Sequence, residues 1–333
     1  MVAYKDIKAS NALINDANAP HIAVFVGGTS GIGKLTLNAL VGTGTSLRIY
    51  LVGRRSSEER TQSFIQDLHV VNPKAEIVWT EAEVSLLAEA KRVCEDIKSK
   101  ESRIDLLFLT TGYAPFGARK ETPEGVEITQ SLGYYTRMLF VLQLLPLLKK
   151  TENPRVVNVL GGGMERTTSI NVDDLDLKKP GSFRAMTAQP HYITLNTVFL
   201  DKLAVEHSDV TFIHSWPGSV NTGNVWRSLD PDQYILSWVV WLFLDPLIRL
   251  ISSSDEEAGQ RHLFYCTSAA FGGRGIAWKG KAGISTSGTS NTGLFLVNYK
   301  CESTPNAKVI PLLREKATAK VWEHTQMLLG AYL

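Results

Sequence analysis

The chain has 333 residues, of which 44% are apolar and 20% are charged. This composition supplies a globular core and excludes disordered, collagen-like and disulfide-scaffold proteins. Lys and Arg number 35 and Asp and Glu number 33, and the resulting net charge of +2 argues against a nucleic-acid or acidic-membrane binder.

Short aliphatic runs alternate with amphipathic segments through the first two-thirds of the chain. The runs are typical of strands buried on both faces, and they cover residues 21–26, 46–52, 76–79, 104–109, 155–160 and 211–215. The helical patterns between them cover residues 34–40, 58–69, 86–98, 125–149 and 193–206. This order predicts an α/β fold with a single doubly wound parallel sheet, because parallel neighbours need helical crossovers.

The last third of the chain departs from this alternation. It holds an apolar stretch at 234–251, a helix start at 252–254, a Gly-rich tract at 271–293, a strand at 294–299 and a helix at 315–329. We predict one domain over residues 1–333, with an N-terminal arm at 1–20 and an elaborated C-terminal third. Within that third, residues 223–258 are predicted to form an apolar lid or interface.

A glycine-rich turn stands between the first predicted strand and the first predicted helix. Gly27, Gly31 and Gly33 follow the spacing G-x-x-x-G-x-G. Glycines at these places permit a tight turn and a close approach to a pyrophosphate, which the helix N-terminus then binds. The motif predicts a Rossmann-type dinucleotide site with these contact residues: Gly27, Thr29, Ser30, Gly31, Ile32 and Gly33.

The end of the second predicted strand indicates which dinucleotide is bound. Arg54 and Arg55 stand where an acidic residue would accept hydrogen bonds from the ribose of NAD. A guanidinium instead binds the 2′-phosphate of NADP. We therefore predict NADP(H) as the cofactor, with Arg54 and Arg55 as contacts.

These motifs and several later ones resemble the short-chain dehydrogenase/reductase family over most of the chain. Leu-Thr-Thr-Gly at 109–112 stands at the place of the family's N-N-A-G, and residues 217–222 match its P-G-x-V-x-T segment beside the nicotinamide. The tail at 320–325 is similar to that of fungal members, many of which serve natural-product pathways. The resemblance implies further cofactor contacts at Val84, Thr111, Gly112, Pro217, Gly218, Val220 and Thr222, and it makes a homodimer an expectation.

The family's usual proton-transfer residues are not matched at their expected places. Members combine a Ser after the fifth strand with Tyr-x-x-x-Lys on the next helix and an Asn in the fourth helix. The Tyr exchanges the proton of the reacting oxygen, the Lys lowers the Tyr pKa, and the Ser orients the carbonyl. Here Gly161 stands at the Ser position and Gly133 at the Asn position.

The helix that should carry the acid can be aligned in two ways. Counting back from the helix end puts Gln189 and Ile193 at the Tyr and Lys positions, whereas a shift of one turn puts Tyr192 and Asn196 there. Neither alignment supplies a lysine. Tyr192 with Asn196 is our first candidate for the catalytic set, although His191 beside it points in another direction on a helix.

Two further substitutes come from neighbouring segments. Tyr134 shares a helix face with Arg137, and one of the two could reach the site. Tyr134 is therefore a candidate catalytic residue, although aromatic side chains in this segment more often pack an interface. Glu165 would serve as an acid or base if it turned inward. Its ordinary interpretation is a surface ion pair with Arg166, and His214 is expected in the core.

Several features bear on location and partners. Cys94, Cys266 and Cys301 stand far apart and predict neither a metal site nor a disulfide framework. The N-terminus lacks the regions of a secretory signal, and the longest apolar run, at 235–244, is too short to span a bilayer. We predict a cytoplasmic protein without a transmembrane segment. The apolar stretch at 234–251 favours a hydrophobic small molecule as substrate, although its composition also suits a dimer surface or a contact with a membrane surface.

The leading functional prediction is an NADP(H)-dependent oxidoreductase acting on a hydrophobic small molecule, an intermediate of a fungal natural product. Hydride transfer to an activated alkene or an iminium needs little help from an acid, so it tolerates the missing Tyr and Lys. Two alternatives remain open at this point. One is a non-redox cyclase, isomerase or dehydratase, and the other is an NADP-binding regulatory protein.

Overall fold

The computed structural model describes residues 2–220 and 253–333. Its strands are β1 (Ile22–Val26), β2 (Leu47–Gly53), β3 (Ala75–Glu81), β4 (Leu106–Leu109), β5 (Arg155–Val159), β6 (Thr211–Ser215) and β7 (Leu294–Val297). They pair in parallel as one sheet of seven strands in the order β3-β2-β1-β4-β5-β6-β7. The predicted fold class, a single doubly wound parallel sheet, is confirmed.

Helices cover both faces of the sheet. They are α1 (Tyr4–Asn11), α2 (Gly31–Val41), α3 (Glu58–Val71), α4 (Leu87–Lys100), α5 (Ile128–Gln130), α6 (Thr136–Leu148), α7 (Ala185–Glu206), α8 (Asp255–Thr267) and α9 (Ile310–Leu329). A π-helical turn (Ser131–Tyr135) joins α5 to α6, and short 3₁₀ turns lie at Arg55–Ser57 and Gly330–Tyr332. No helix in these two described ranges is long and apolar enough to cross a membrane.

The two faces of the sheet bury separate apolar layers because successive strand residues point in opposite directions. In β1, Val24 and Val26 join a layer with α4, α6, α7 and α9, whereas Ala23 and Phe25 join a layer with α2, α3 and α8. All four side chains are fully buried. Such burial on both faces explains why the strands are continuous aliphatic runs in the sequence.

Two elements differ from the sequence-based expectation. The helix α7 begins at Ala185, two turns before the predicted start at 193, and it contains Pro190 in its second turn. The predicted N-terminal arm holds α1, whose Ile7 is buried in the layer with α2 and α8. The side chain of Asn11 donates to the carbonyl oxygen of Gln260 at 2.9 Å, and this contact ties α1 to α8.

Part of the predicted lid lies outside the described residues. These are residues 223–252 of the lid or interface predicted at 223–258, including the apolar stretch at 234–251. Thr222, which was predicted as a cofactor contact, also lies outside the described residues. The predicted helix start at 252–254 is confirmed by Ser254, whose hydroxyl oxygen accepts a hydrogen bond from the backbone N–H of Glu257 at 3.2 Å. This bond caps the first turn of α8.

Candidate active site

A groove with a volume of about 480 Å³ opens at the carboxyl ends of the central strands. The turn after β1, the end of β2, the segments after β3 and β4, the end of β5 and Pro217 after β6 contribute to it. The following predicted cofactor contacts line it: Gly27, Thr29, Ser30, Gly31, Ile32, Arg54, Val84, Thr111, Gly112 and Pro217. Ligands of open parallel sheets bind at this edge.

One end of the groove is built from glycines that no larger residue could replace without a shift. Gly27 has φ +98°, and a Cβ there would stand 2.8 Å from the backbone nitrogen of Thr111. A Cβ on Gly33 would stand 2.3 Å from the carbonyl oxygen of Gly27. The turn thus packs tightly on β4 and leaves the N-terminus of α2 facing the groove, with no acidic side chain in its first turn. This cradle fits a pyrophosphate.

The two arginines after β2 have different surroundings. Arg54 lines the groove, and its side chain has no hydrogen-bond or ion-pair partner in the described part of the chain. The side chain of Arg55 is 83% exposed and pairs with Glu81, with 3.1 Å between the guanidinium Nε and the carboxylate Oε1. Arg54 is therefore the better placed of the two to meet a 2′-phosphate.

Four other predicted cofactor contacts do not line the groove. Gly33 holds α2 against the turn, and Arg55 faces solvent. Gly218 has φ +68°, and a Cβ there would stand 2.8 Å from the Cβ of Tyr299. Val220 packs against the layer that contains α2 and α8.

The other end of the groove holds the positions at which the family's acid set was sought. A Cβ on Gly133, in the π-helical turn, would lie 3.4 Å from the Tyr192 ring, and both residues line the groove. A Cβ on Gly161 would stand 2.4 Å from the Cδ1 of Ile193. Gln189 lines the groove one turn before Ile193. Amide, phenol and aliphatic groups, together with the guanidinium of Arg137, therefore occupy the reacting end.

The hydroxyl of Tyr192 is engaged within the protein. It donates to Oε2 of Glu127 at 3.1 Å and lies 3.3 Å from the hydroxyl of Thr129. Burial raises the pKa of Tyr192 well above its ordinary value, and the charge of Glu127 raises it further. Tyr192 is thus in the groove, as an acid must be, but this environment opposes the release of its proton.

The other two candidate catalytic residues stand behind the groove wall. Asn196 donates to the carbonyl oxygens of Gly133 at 2.8 Å and Tyr192 at 2.7 Å, and it is fully buried. Tyr134 is 1% exposed, and its hydroxyl lies 2.7 Å from that of Thr325 in α9. Asn196 fixes the π-helical turn against α7, whereas Tyr134 joins α6 to the C-terminal helix.

Glu165 is buried, and the expectation of a surface ion pair with Arg166 is wrong. Its carboxylate accepts from the hydroxyl of Thr197 at 2.6 Å and from the backbone N–H of Gly163 at 2.9 Å. Thr197 in turn lies 2.8 Å from Nδ1 of His214, whose Nε2 accepts from the backbone N–H of Gly161 at 3.2 Å. Burial raises the pKa of Glu165. This buried cluster fixes the loop after β5 through the backbone N–H groups of Gly161 and Gly163.

Sequence reasoning did not assign a role in the site to Glu127. It predicted that Tyr134 or Arg137 reaches the site, and of these two Arg137 lines the groove. Both are buried, with Arg137 1% exposed and Glu127 3% exposed. A signal for Arg137 was available, because it is the single charged residue in a mostly apolar helix. Glu127 carried no such signal, since it acts through a contact with Tyr192, 65 residues away.

Comparison with known proteins agrees with this geometry. A profile of the family described as short chain dehydrogenase matches residues 21–166. The chain is 37% identical to "Oxidoreductase AN1596" of Emericella nidulans over 99% of this chain and 98% of that protein. It is 26% identical to "Short-chain dehydrogenase/reductase SAT2" of Stachybotrys chartarum over 91% of this chain and 90% of that protein.

Solved structures show the same fold at lower identity. The structure of YwfH, described as an NADPH dependent reductase involved in bacilysin biosynthesis, aligns with a TM-score of 0.54 and 18% identity. The alignment covers 75% of this chain and 92% of YwfH. From the match to AN1596 along nearly all of both proteins, together with the family profile, the chain belongs to the short-chain dehydrogenase/reductase family.

Proposed function

We propose that the chain is an NADP(H)-dependent oxidoreductase that transfers hydride to a hydrophobic small molecule without the acid set usual in its family. The reaction class follows from its family and is supported by the names of its relatives. The observation that carries the finer proposal is the groove. One end is a glycine cradle at a helix N-terminus, and the other end holds Gly133 where a polar catalytic side chain was sought. Gly161, at the other such position, follows the groove residue Leu160.

The assignment of NADP(H) rests on the side chains around the phosphate end. The N-terminus of α2 and the backbone of Gly27 suit a pyrophosphate, and the unpaired Arg54 suits a 2′-phosphate. The description of YwfH as NADPH dependent supports the same cofactor. When bound, the nicotinamide would supply the hydride, and the residues that line the groove would orient it.

The substrate is proposed to be hydrophobic because apolar groups form part of the groove lining. These groups are Ala114, Leu132, Val159, Leu160 and Pro217. AN1596 and SAT2 are fungal proteins, and this origin supports the expectation of a fungal natural-product intermediate drawn from the C-terminal tail.

The proposed setting is the cytoplasm. Cys94, Cys266 and Cys301 are unpaired thiols and all are buried, as is typical of a reducing compartment. A homodimer remains part of the proposal, and the mass of the purified protein in solution tests it.

The test of this function begins with binding. The purified protein is titrated with NADPH and with NADH by fluorescence or calorimetry, and NADPH consumption is then followed with hydrophobic ketones and enones. We expect NADPH to bind at least tenfold more tightly than NADH and to be consumed with at least one of these substrates.

The other outcomes separate the alternatives. Tight NADPH binding without consumption, but with conversion of a substrate, would favour a cyclase, isomerase or dehydratase. Binding without any conversion would favour a regulatory role. Absence of NADPH binding would overturn the proposal, since the glycine turn would then serve the fold alone.

A further inference from the structure

A guanidinium is buried in the floor of the groove. Arg137 lies in the first turn of α6, is 1% exposed as a residue, and lines the groove beside Gly112 and Gly133. Burial of a cation is costly unless its charge is compensated. A buried charge in a ligand groove therefore indicates a functional role for that charge.

Every hydrogen-bond acceptor of Arg137 in the described part of the chain is neutral. Nε donates to the carbonyl oxygen of Leu132 at 3.0 Å, and Nη1 donates to Oδ1 of Asn158 at 2.7 Å and to the carbonyl oxygen of Val159 at 2.9 Å. Nη2 donates to the carbonyl oxygen of Thr111. These bonds fix the orientation of the group but leave its net charge in place.

The charge persists at neutral pH and is felt by its surroundings. Burial lowers the pKa of Arg137 to about 9, which still leaves the group protonated at pH 7. The pKa of His214 is lowered to about 3 by burial and, to a smaller extent, by the charge of Arg137. The field of the guanidinium therefore extends to neighbouring groups.

The guanidinium is also open toward the groove. Its four bonds within the described residues engage four of five N–H donors. Beside Nη2 in the groove lining stands Gly112, where even an added Cβ would lie 3.7 Å from Nη2. No side chain at that position covers the cation.

We propose that Arg137 is the fixed positive charge of the reacting end and selects substrates that become negatively charged on hydride transfer, namely α,β-unsaturated carbonyl compounds. This inference rests on the proposed function. The β-carbon accepts hydride with its two electrons, and the pair of the carbon–carbon double bond moves to give an enolate. The α-carbon then takes a proton from water, while NADPH becomes NADP⁺.

This substrate class follows from the sign of the charge. A preorganised cation stabilises the developing enolate. The same cation repels an iminium, which is already positive. A simple ketone would form a localised alkoxide that needs a proton at once, and Tyr192, engaged with Glu127, is poorly suited to give it.

The first test of the inference is a measurement of cofactor binding, with no substrate present. A nicotinamide ring is positive in NADP⁺ and neutral in NADPH, so a nearby fixed cation disfavours the oxidised form. We expect the wild-type protein to bind NADPH about tenfold more tightly than NADP⁺. In Arg137→Gln that preference should fall to about twofold, and in Arg137→Lys, which keeps the charge, it should be retained.

Arg155 offers a matched control. It is 2% exposed and donates to the carbonyl oxygens of Tyr265, Ser268 and Arg274, but it stands at the opposite end of β5 and outside the groove. Arg155→Gln should lower stability as Arg137→Gln does and should leave the ratio of the NADPH and NADP⁺ affinities unchanged.

The outcomes distinguish this inference from the proposed function. If the wild type binds NADPH and NADP⁺ equally, or if a folded Arg137→Gln keeps the wild-type preference, the role of Arg137 is overturned while the function stands. If Arg137→Gln does not fold, the inference is tested by the wild type and Arg137→Lys, both of which should bind NADPH more tightly than NADP⁺. Reduction of a cyclic iminium faster than of an enone would also overturn the inference. Absence of NADPH binding in the wild type would overturn the proposed function instead.

Discussion

At the scale of single residues, the two arginines after β2 allow the cofactor assignment to be tested. We expect Arg54→Asp to weaken NADPH binding about 100-fold, because a charge-assisted contact with the phosphate is replaced by repulsion. NADH has no 2′-phosphate, and its affinity should change by less than about threefold. Fluorescence titration measures both affinities.

Arg55→Asp is the matched control, since Arg55 is exposed and paired with Glu81. Its effect on NADPH should be much smaller than that of Arg54→Asp. Equal losses from the two variants, or equal losses of NADPH and NADH in Arg54→Asp, would remove the 2′-phosphate assignment.

A substitution of Tyr192 tests whether hydride transfer proceeds without a side chain that acts as general acid. Its hydroxyl donates to Glu127 and its pKa is raised, so we expect Tyr192→Phe to lower kcat by less than about tenfold. Stopped-flow and steady-state rates of NADPH oxidation measure the change. A general acid contributes about 10²- to 10⁴-fold. A fall of that size with unchanged NADPH affinity would identify Tyr192 as the proton donor.

Side-chain partners explain why the reacting end was harder to predict than the phosphate end. Gly27, Gly31 and Gly33 act through the backbone of one turn, and their spacing is visible in the sequence. The partners of Tyr192 and Arg137 lie on other elements, and Asn158 is 21 residues from Arg137. The local sequence therefore does not predict whether such a hydroxyl or guanidinium donates its hydrogen bonds to a carboxylate or to a carbonyl oxygen.

At the scale of elements, the contact between α2 and α8 depends on one glycine. Gly259 lies within α8, and a Cβ there would stand 2.6 Å from the carbonyl oxygen of Leu35 in α2. Alanine is favoured over glycine in a helix by about 1 kcal/mol. We expect the backbone clash to outweigh this gain, so that Gly259→Ala lowers the free energy of unfolding by about 1–2 kcal/mol.

Urea unfolding measures this change, and Gly330→Ala is its control. Gly330 follows α9, has φ −53°, and has nothing within 4 Å of its added Cβ among the described residues. That substitution should alter stability by less than about 0.5 kcal/mol. A Gly259→Ala protein at least as stable as the wild type would show that α2 and α8 can separate at little cost.

The element boundaries show which local signals were strong enough to predict. Buried strands were found within a few residues because short aliphatic runs between Gly, Pro or polar residues are typical of them. The start of α7 was placed too late, since Pro190 is normally read as a helix breaker and here stands inside the helix. The π-helical turn at Ser131–Tyr135 has no sequence signature, yet it brings Gly133 against Tyr192.

At the scale of the whole molecule, the parallel sheet was predictable because each crossover constrains the next. Alternating strands and helices admit few arrangements, and right-handed crossovers then leave the carboxyl ends of the central strands on one edge. The groove at that edge follows from this topology. The packing of α1 on α8 and of α9 on α7 did not follow from this topology, because neither α1 nor α9 lies in a crossover between two strands.

The buried histidine His262 links the stability of this whole fold to pH. Its Nδ1 lies 2.7 Å from the carbonyl oxygen of Ala258, while Nε2 has no partner in the described part of the chain. The ring packs edge-on against Phe108 and Tyr265. A second proton would bury an unpaired N–H, and burial accordingly lowers the pKa of His262 to about 4.

Because this pKa lies below that of an exposed histidine, about 6.5, the unfolded chain binds more protons between those values. The contribution of His262 is intact above pH 6.5 and is lost as the pH falls toward 4. It should amount to about 2 kcal/mol between pH 7 and pH 5. Urea unfolding at pH 7 and pH 5 measures this loss. The free energy of unfolding of His262→Phe, which keeps the aromatic contacts, should fall between these pH values by about 2 kcal/mol less than that of the wild type. Equal losses would mean that the ring is protonated without cost in the folded protein.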